Sequence, residues 1–92
     1  MDTKDRFRGV GRNYAVGFSI GTKGYIGTGT NGASYFKDFW EYNPVGNTWT
    51  QKTDFGGTAR RMAVGFSIGT KGYIGTGLDA VSYTKDFWEY CP

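Results

Sequence analysis

The clearest pattern in the chain is a strict alternation of bulky and small residues, which occurs at residues 14–20 and again at residues 62–68. In the first copy the bulky residues are Tyr14, Val16, Phe18 and Ile20, and the small residues between them are Ala15, Gly17 and Ser19. A period of two residues is typical of a β-strand, in which successive side chains point to opposite faces. The pattern therefore predicts strands with one bulky face and one small face, and a small face can receive bulky side chains from a neighbouring sheet.

Three further strands are predicted after the first one, at residues 24–29, 38–42 and 48–53. Glycine-containing turns precede the first and the last of them, and such turns join antiparallel strands. In the third strand Trp40 and Tyr42 share one face, and we expect the three tryptophans of the chain to lie in the core. The result is a four-stranded antiparallel meander of about 50 residues, the usual size of a propeller blade.

This unit is repeated with an offset of 48 residues, and 25 of the 34 positions that align from residue 11 to 44 with residues 59–92 are identical. A unit of this size cannot bury its apolar surface alone and stacks on copies of itself. We therefore interpret residues 1–92 as one two-blade unit. It consists of an outer strand and link at 1–10, a first repeat at 11–58, and a second repeat at 59–92 without a fourth strand.

Several features of the repeat resemble the kelch family of β-propellers. They are an arginine before the first strand (Arg12, Arg60), Gly-Thr-Gly after the second (27–29, 75–77), a third strand ending in tyrosine near a proline (Tyr42, Pro44), and Trp49. Kelch repeats usually carry an adjacent glycine pair where this chain has Gly-Thr-Gly. The resemblance covers essentially the whole chain and implies an all-β, kelch-like propeller with two four-stranded blades per chain.

Two blades are too few to close a ring, so the sequence predicts that the chain associates with itself. Residues 1–5 align with residues 49–53, and the second repeat stops at Pro92, the counterpart of Pro44. We expect the first residues of one chain to supply the outer strand of the next by strand exchange. The isolated chain would expose sheet faces carrying aromatic residues and an open edge at residues 86–90. A homotrimer with six blades is favoured, and a homotetramer with eight blades comes next.

Composition and charge mainly exclude classes of partner and of activity. Aromatic residues make up 18% of the chain, there are 16 glycines, and the net charge is +3 without a basic stripe or a nucleic-acid-binding motif. No apolar segment is long enough for a membrane span, so neither nucleic acid nor membrane is an expected partner. Because histidine is absent and Cys91 is the single cysteine, we predict no enzyme activity, no catalytic residues, no metal and no cofactor.

Four carboxylates recur at equivalent positions, namely Asp38 with Asp86 and Glu41 with Glu89. Paired carboxylates carry out glycoside hydrolysis in many enzymes. An acid that recurs in every repeat is more often a structural partner, so we expect pairing with Arg12 or Arg60 across a blade interface. The function predicted from these observations is a non-catalytic, self-assembling scaffold or binding module.

The two repeats differ mainly in the loop between strands two and three and in the link into strand one, which lie on one face of a meander. Candidate binding residues on this face are Arg12, Asn13, Tyr14, Asn31, Tyr35, Phe36, Arg60, Arg61, Asp79 and Tyr83. The ligand there would be a peptide, a protein or a glycan, and neutral change in loops explains the same differences equally well. A lectin-like propeller is the alternative function, because Tyr35, Tyr83 and Phe36 can stack on sugar rings.

Overall fold

The computed structural model describes residues 7–92, in which all strands pair in antiparallel fashion and no helix occurs. In chain order the strands are β1 (Val16–Ile20), β2 (Lys23–Gly27), β3 (Phe39–Asn43), β4 (Thr48–Lys52), β5 (Arg60–Arg61), β6 (Val64–Ile68), β7 (Lys71–Gly75), β8 (Leu78–Asp79) and β9 (Phe87–Tyr90). Strands β1 to β4 form a first sheet in sequential order, and β6, β7 and β9 form a second. Strands β5 and β8 pair as a short ribbon.

The prediction of an all-β chain with antiparallel meanders is confirmed, and the four strands of the first repeat begin and end within two residues of their predicted bounds. Strand β1 starts later than predicted because Tyr14 has a positive φ of 54°, which is incompatible with extended backbone. The predicted outer strand at residues 1–5 lies outside the described residues. Within the described part of the chain, β9 pairs with β7 alone.

The core lies between the two sheets and consists mostly of the bulky face of the first sheet. Val16, Tyr25 and Phe39 are 5%, 3% and 2% exposed, and they pack with Ile74 of the second sheet and with Phe55 of the link. Strand β1 lies against β6 and β7. The predicted division into a bulky and a small face is therefore confirmed, and it is the small face of the second sheet that receives the bulky face of the first.

Two glycines of the second sheet make this close approach between the sheets possible. A Cβ atom at Gly65 would collide with Val16 Cγ2, and one at Gly72 would lie 2.6 Å from Phe18 Cζ. Side chains at these two positions would hold the sheets apart. The glycines therefore form the part of the small face on which the bulky side chains sit.

The tryptophans are less buried than the sequence predicted. Trp40 is half-buried, with Phe7 at 5.6 Å between ring centroids, and Phe7 also contacts Trp49 at 5.1 Å. Trp88, the counterpart of Trp40, contacts Phe55 at 5.9 Å and is 42% exposed. The expectation of three core tryptophans was therefore wrong. Trp40 and Trp49 are half-buried outside the core cluster, and Trp88 is exposed because no described strand pairs with the outer edge of β9 as β4 pairs with β3.

No helix long and apolar enough to cross a membrane occurs in residues 7–92.

Candidate functional site

The arginine that precedes each first strand is anchored within its own sheet. Arg60 is fully buried, and its guanidinium donates hydrogen bonds to Asp86 Oδ1 at 2.6 Å and to Asp86 Oδ2 at 2.8 Å. It also donates to the carbonyl oxygens of Thr58 and Thr76, both at 3.0 Å, and lies 4.7 Å from the ring centroid of Phe55. The hydrogen bonds from Arg60 to Asp86 hold the pKa of the Asp86 carboxyl far below its usual range.

Arg12 repeats this arrangement in the first sheet. It forms an ion pair with Asp38 through both of its terminal nitrogens, and the Nη2 to Oδ2 distance is 2.7 Å. The hydrogen bonds from Arg12 lower the pKa of Asp38. Arginine pairs with the recurring aspartates as predicted, but each pair lies inside one repeat and not across the interface between repeats. Arg12 and Arg60, two of the three candidate arginines, are thus occupied by structural contacts.

Two other candidate residues stabilise their own loops. Asn31 Oδ1 accepts hydrogen bonds from the amides of Ala33 and Ser34, at 2.9 and 2.8 Å. Asp79 Oδ1 accepts from two amides in the same way, at 2.8 Å each, and Asp79 Oδ2 accepts from Thr58 Oγ1 at 3.0 Å. These hydrogen bonds lower the pKa of Asp79. The polar atoms of both side chains are therefore used to shape the loops.

Three further candidates come together across the two repeats. The Arg61 guanidinium carbon lies 5.6 Å from the ring centroid of Tyr14 and 6.0 Å from that of Tyr35. Arg61 forms no ion pair with a carboxylate among residues 7–92. Cation–π contacts of this kind stabilise a charged side chain weakly and keep it in place.

The remaining candidates lie near the same loops. Asn13 forms a backbone bridge with Thr30, and Phe36 lies under the Arg12 guanidinium at 4.5 Å. Tyr83 is 82% exposed. An open cleft of about 650 Å³ lies between residues 32–35 and residues 79–81, and Thr58 and Ala59 also line it. Tyr35 and Asp79 are the candidate residues in this cleft.

A further feature is the bulky face of the second sheet, which is an exposed copy of the buried face of the first. Val64 is 56% exposed whereas its counterpart Val16 is 5% exposed, and Phe87 is 55% exposed whereas its counterpart Phe39 is 2% exposed. Ile68 adds a further apolar side chain that is 66% exposed. The sequence predicted exposed aromatic faces without identifying these residues, although the alternating pattern at 62–68 already contained them.

The exposed face has the same internal geometry as the buried one. In the second sheet the ring centroid of Phe66 is 5.4 Å from Tyr73 and 5.6 Å from Phe87. The equivalent distances in the first sheet, from Phe18 to Tyr25 and to Phe39, are 5.5 and 5.9 Å. The aromatic cluster is therefore preformed in the second sheet although no part of the described chain covers it.

No group of three or more His, Cys, Asp or Glu side chains placed to hold a metal ion occurs in the described residues. A scan of the chain against protein-family models found no match, and a search of curated proteins found none either.

Proposed function

We propose that this protein is a non-catalytic, self-assembling scaffold in which the exposed face of the second sheet is buried by another copy of the chain. In this proposal the sheets are blades of a kelch-like propeller, and copies of the chain close a ring. Three copies complete six blades and four copies complete eight, with three favoured.

The observation that carries the proposal is the difference in exposure between two identical faces. Residues 15–29 and 63–77 have the same sequence, yet the bulky face is covered in the first sheet and open in the second. Contiguous exposed apolar patches on a soluble chain usually mark interaction sites. The small face of the second sheet covers this bulky face in the first sheet, and the first sheet of another copy carries an equivalent small face.

The energetics favour a closed ring over an open pair. Burying the exposed part of one large apolar side chain contributes about 1 kcal/mol, roughly half of the value for full burial. Together, four such side chains offset only part of the free-energy cost of the translational and rotational freedom lost when two copies associate. The four are Val64, Phe66, Ile68 and Phe87. Ring closure adds one more interface without bringing in another chain, which raises the stability of the closed assembly.

The edge of β9 supports the same arrangement. Strand β9 pairs with β7, and within the described part of the chain its other edge has no strand. Open edges are templates for pairing with another chain. The alignment of residues 1–5 with residues 49–53 makes the N-terminal residues of another copy our proposed outer strand for this edge.

The mass of the native protein tests the proposal. One chain has a mass of 10.2 kDa, so three chains make about 30.6 kDa and four make about 40.8 kDa. Sedimentation velocity of the purified chain from about 1 to 100 µM would distinguish these species. A folded monomer across this range would refute self-assembly, and a concentration-dependent shift to the trimer or tetramer would support it.

Carbohydrate binding at the loop cleft is the second candidate function. The cleft is open, and Tyr35 lines it. Tyr83 is highly exposed and follows residues 79–81 of the cleft by two positions in sequence. Aromatic rings in such positions stack on sugars. Binding to a glycan array that is lost in both the Tyr35→Ala and the Tyr83→Ala variants would support this function, whereas binding that survives both changes would exclude it.

A further inference from the structure

We propose that the exposed bulky face of one copy docks on the small face of the first sheet of a second copy, with Phe66 seated at Gly24 and Val64 at Gly17. This inference rests on the proposed function and specifies the surface that the partner copy contributes. The association is then directional, since one copy offers its bulky face and the other its small face.

The contact inside the chain is the template for this docking. Val16 and Phe18 of the first sheet sit on Gly65 and Gly72 of the second, at distances that leave no room for a Cβ atom. Tyr90, on the same small face, adds ring contacts to Tyr25 at 5.3 Å and to Phe39 at 4.8 Å. The small face therefore contacts the bulky face through two glycine positions, one tyrosine ring and the buried side chain of Ile74.

The first sheet carries the same small face, and no other sheet of the described chain packs on it at Gly17 and Gly24. The nearest atom to a Cβ built at Gly17 is the carbonyl oxygen of Tyr25 at 3.6 Å, and the nearest to one at Gly24 is Tyr42 Cβ at 4.0 Å. Both neighbours belong to the first sheet, so no other sheet among residues 7–92 occupies these positions. Tyr42, the counterpart of Tyr90, lies on the same small face.

The contact between copies follows from the contact inside the chain when each residue is replaced by its counterpart 48 positions away in the other repeat. Val64 and Phe66 of one copy occupy the places of Val16 and Phe18, and Gly17 and Gly24 of the other occupy the places of Gly65 and Gly72. All of these residues fall within the identical segments 15–29 and 63–77. The docking therefore requires no side chain that the internal interface does not already use.

Backbone hydrogen bonds fix the register of this contact. Inside the chain the amide of Gly29 donates to the carbonyl of Arg60 at 2.7 Å, and the amide of Met62 donates to the carbonyl of Tyr14 at 3.0 Å. The shifted equivalents join Gly77 N to Arg12 O and Tyr14 N to Met62 O between copies. The structure gives neither Gly77 N nor Arg12 O a hydrogen-bond partner among the described residues.

A symmetric dimer is the competing arrangement. Two exposed bulky faces packed on each other would cover Phe66 in both copies but would leave Gly17 and Gly24 open. The two arrangements therefore differ in whether the glycine positions of the first sheet are used.

Three variants distinguish directional docking from the symmetric dimer. A socket variant carries Gly17→Ala and Gly24→Ala, a face variant carries Phe66→Asp, and a control carries Gly46→Ala in the exposed turn between β3 and β4. The alanines meet only ordinary contacts within the chain, and so does alanine at position 46, where Thr48 is 3.5 Å away. Circular dichroism verifies the fold of each, and sedimentation velocity gives its mass alone and in equimolar mixtures.

We expect the socket and face variants to associate about tenfold to a hundredfold more weakly than the parent. The added methyl groups of the socket variant overpack the docked interface, and the face variant loses the phenylalanine ring and places an unpaired carboxylate there. The control keeps the mass of the parent. Mixing the two defective variants restores one competent junction. Because a single junction lacks ring closure, we expect the resulting dimer of about 20.4 kDa, twice the chain mass of 10.2 kDa, only towards the highest concentrations, where neither variant alone forms a dimer.

A parent that assembles while the socket variant assembles equally well would overturn the directional docking and leave self-assembly standing. A monomeric parent would refute the proposed function itself. If the double variant loses its fold, the single Gly17→Ala and Gly24→Ala variants repeat the test, and assembly at the parent's affinity in both would overturn the proposal.

Discussion

Phe18 and Phe66 offer a matched pair that separates folding from assembly. Each phenylalanine lies in the same aromatic cluster of its own sheet, with ring distances that agree to within about 0.3 Å. Phe18 also packs on Gly72 of the second sheet, whereas Phe66 is 39% exposed. The same substitution at both positions therefore differs only in the contact between sheets.

We predict that Phe18→Ala lowers the free energy of unfolding by about 3–5 kcal/mol at every chain concentration, the usual cost of removing a packed phenylalanine. Phe66→Ala removes two ring contacts in the dissociated chain and costs about 1–3 kcal/mol there. At concentrations that support assembly, Phe66→Ala additionally shifts the protein towards single chains, while Phe18→Ala retains the assembled mass as long as it is folded.

Urea unfolding followed by tryptophan fluorescence at about 1 and 100 µM, with sedimentation velocity at the same concentrations, measures both effects. The parent should be more resistant to urea at the higher concentration, and Phe66→Ala should reduce that gain. The reasoning would be refuted if Phe66→Ala kept the parent's mass at both concentrations, or if it cost as much as Phe18→Ala in the dissociated chain.

Three further predictions concern the anchors and the open edge. Arg60→Ala should lower the free energy of unfolding by about 1.5–3 kcal/mol, because it removes a buried guanidinium that hydrogen-bonds to a carboxylate which is itself 39% exposed. Arg61→Ala should cost less than about 1 kcal/mol, because Arg61 has no ion pair in the described residues. Urea unfolding measures both. The fold lowers the pKa of Asp86, so the unfolded chain binds more protons than the folded chain at low pH. The free energy of unfolding should therefore fall as the pH drops below about 4, and Asp86→Asn should flatten this dependence. An equal free energy of unfolding at pH 7 and pH 3 would contradict this prediction. Deleting residues 1–6 should reduce the native mass or cause aggregation through the open edge of Phe87–Tyr90, and an unchanged mass and melting temperature would show that these residues do not seal the assembly.

Much of the local structure was predictable because it depends on neighbours in sequence. The alternation at residues 14–20 identified β1 and its two faces, and the Gly-containing turns located the hairpins. Gly21 has a φ of 58°, a conformation that glycine adopts without strain, which explains why a turn could be placed there. The exception was Tyr14, whose positive φ is unusual for an aromatic residue and leaves no trace in the alternation.

The candidate binding residues were predictable only as a group on one loop face. The sequence could not show that Arg60 is fully buried against Asp86 of its own repeat, or that Asn31 and Asp79 use their side chains within their own loops. Nor could it show that Arg61 lies between Tyr14 and Tyr35. These contacts join residues that are distant in sequence, and their geometry follows from the way in which the strands pair.

The sequence by itself determined the repeated antiparallel meander and the two-faced strands, since a period of two residues and an identical repeat constrain each strand locally. Only the tertiary structure decided which of two identical faces is buried. Val16 and Val64 have the same sequence neighbours, yet one is covered by the second sheet and the other is open. Burial depends on what packs against a side chain from elsewhere in space, so two identical segments of one chain acquire different roles: one forms the core, and the other is the surface that we propose binds a second copy.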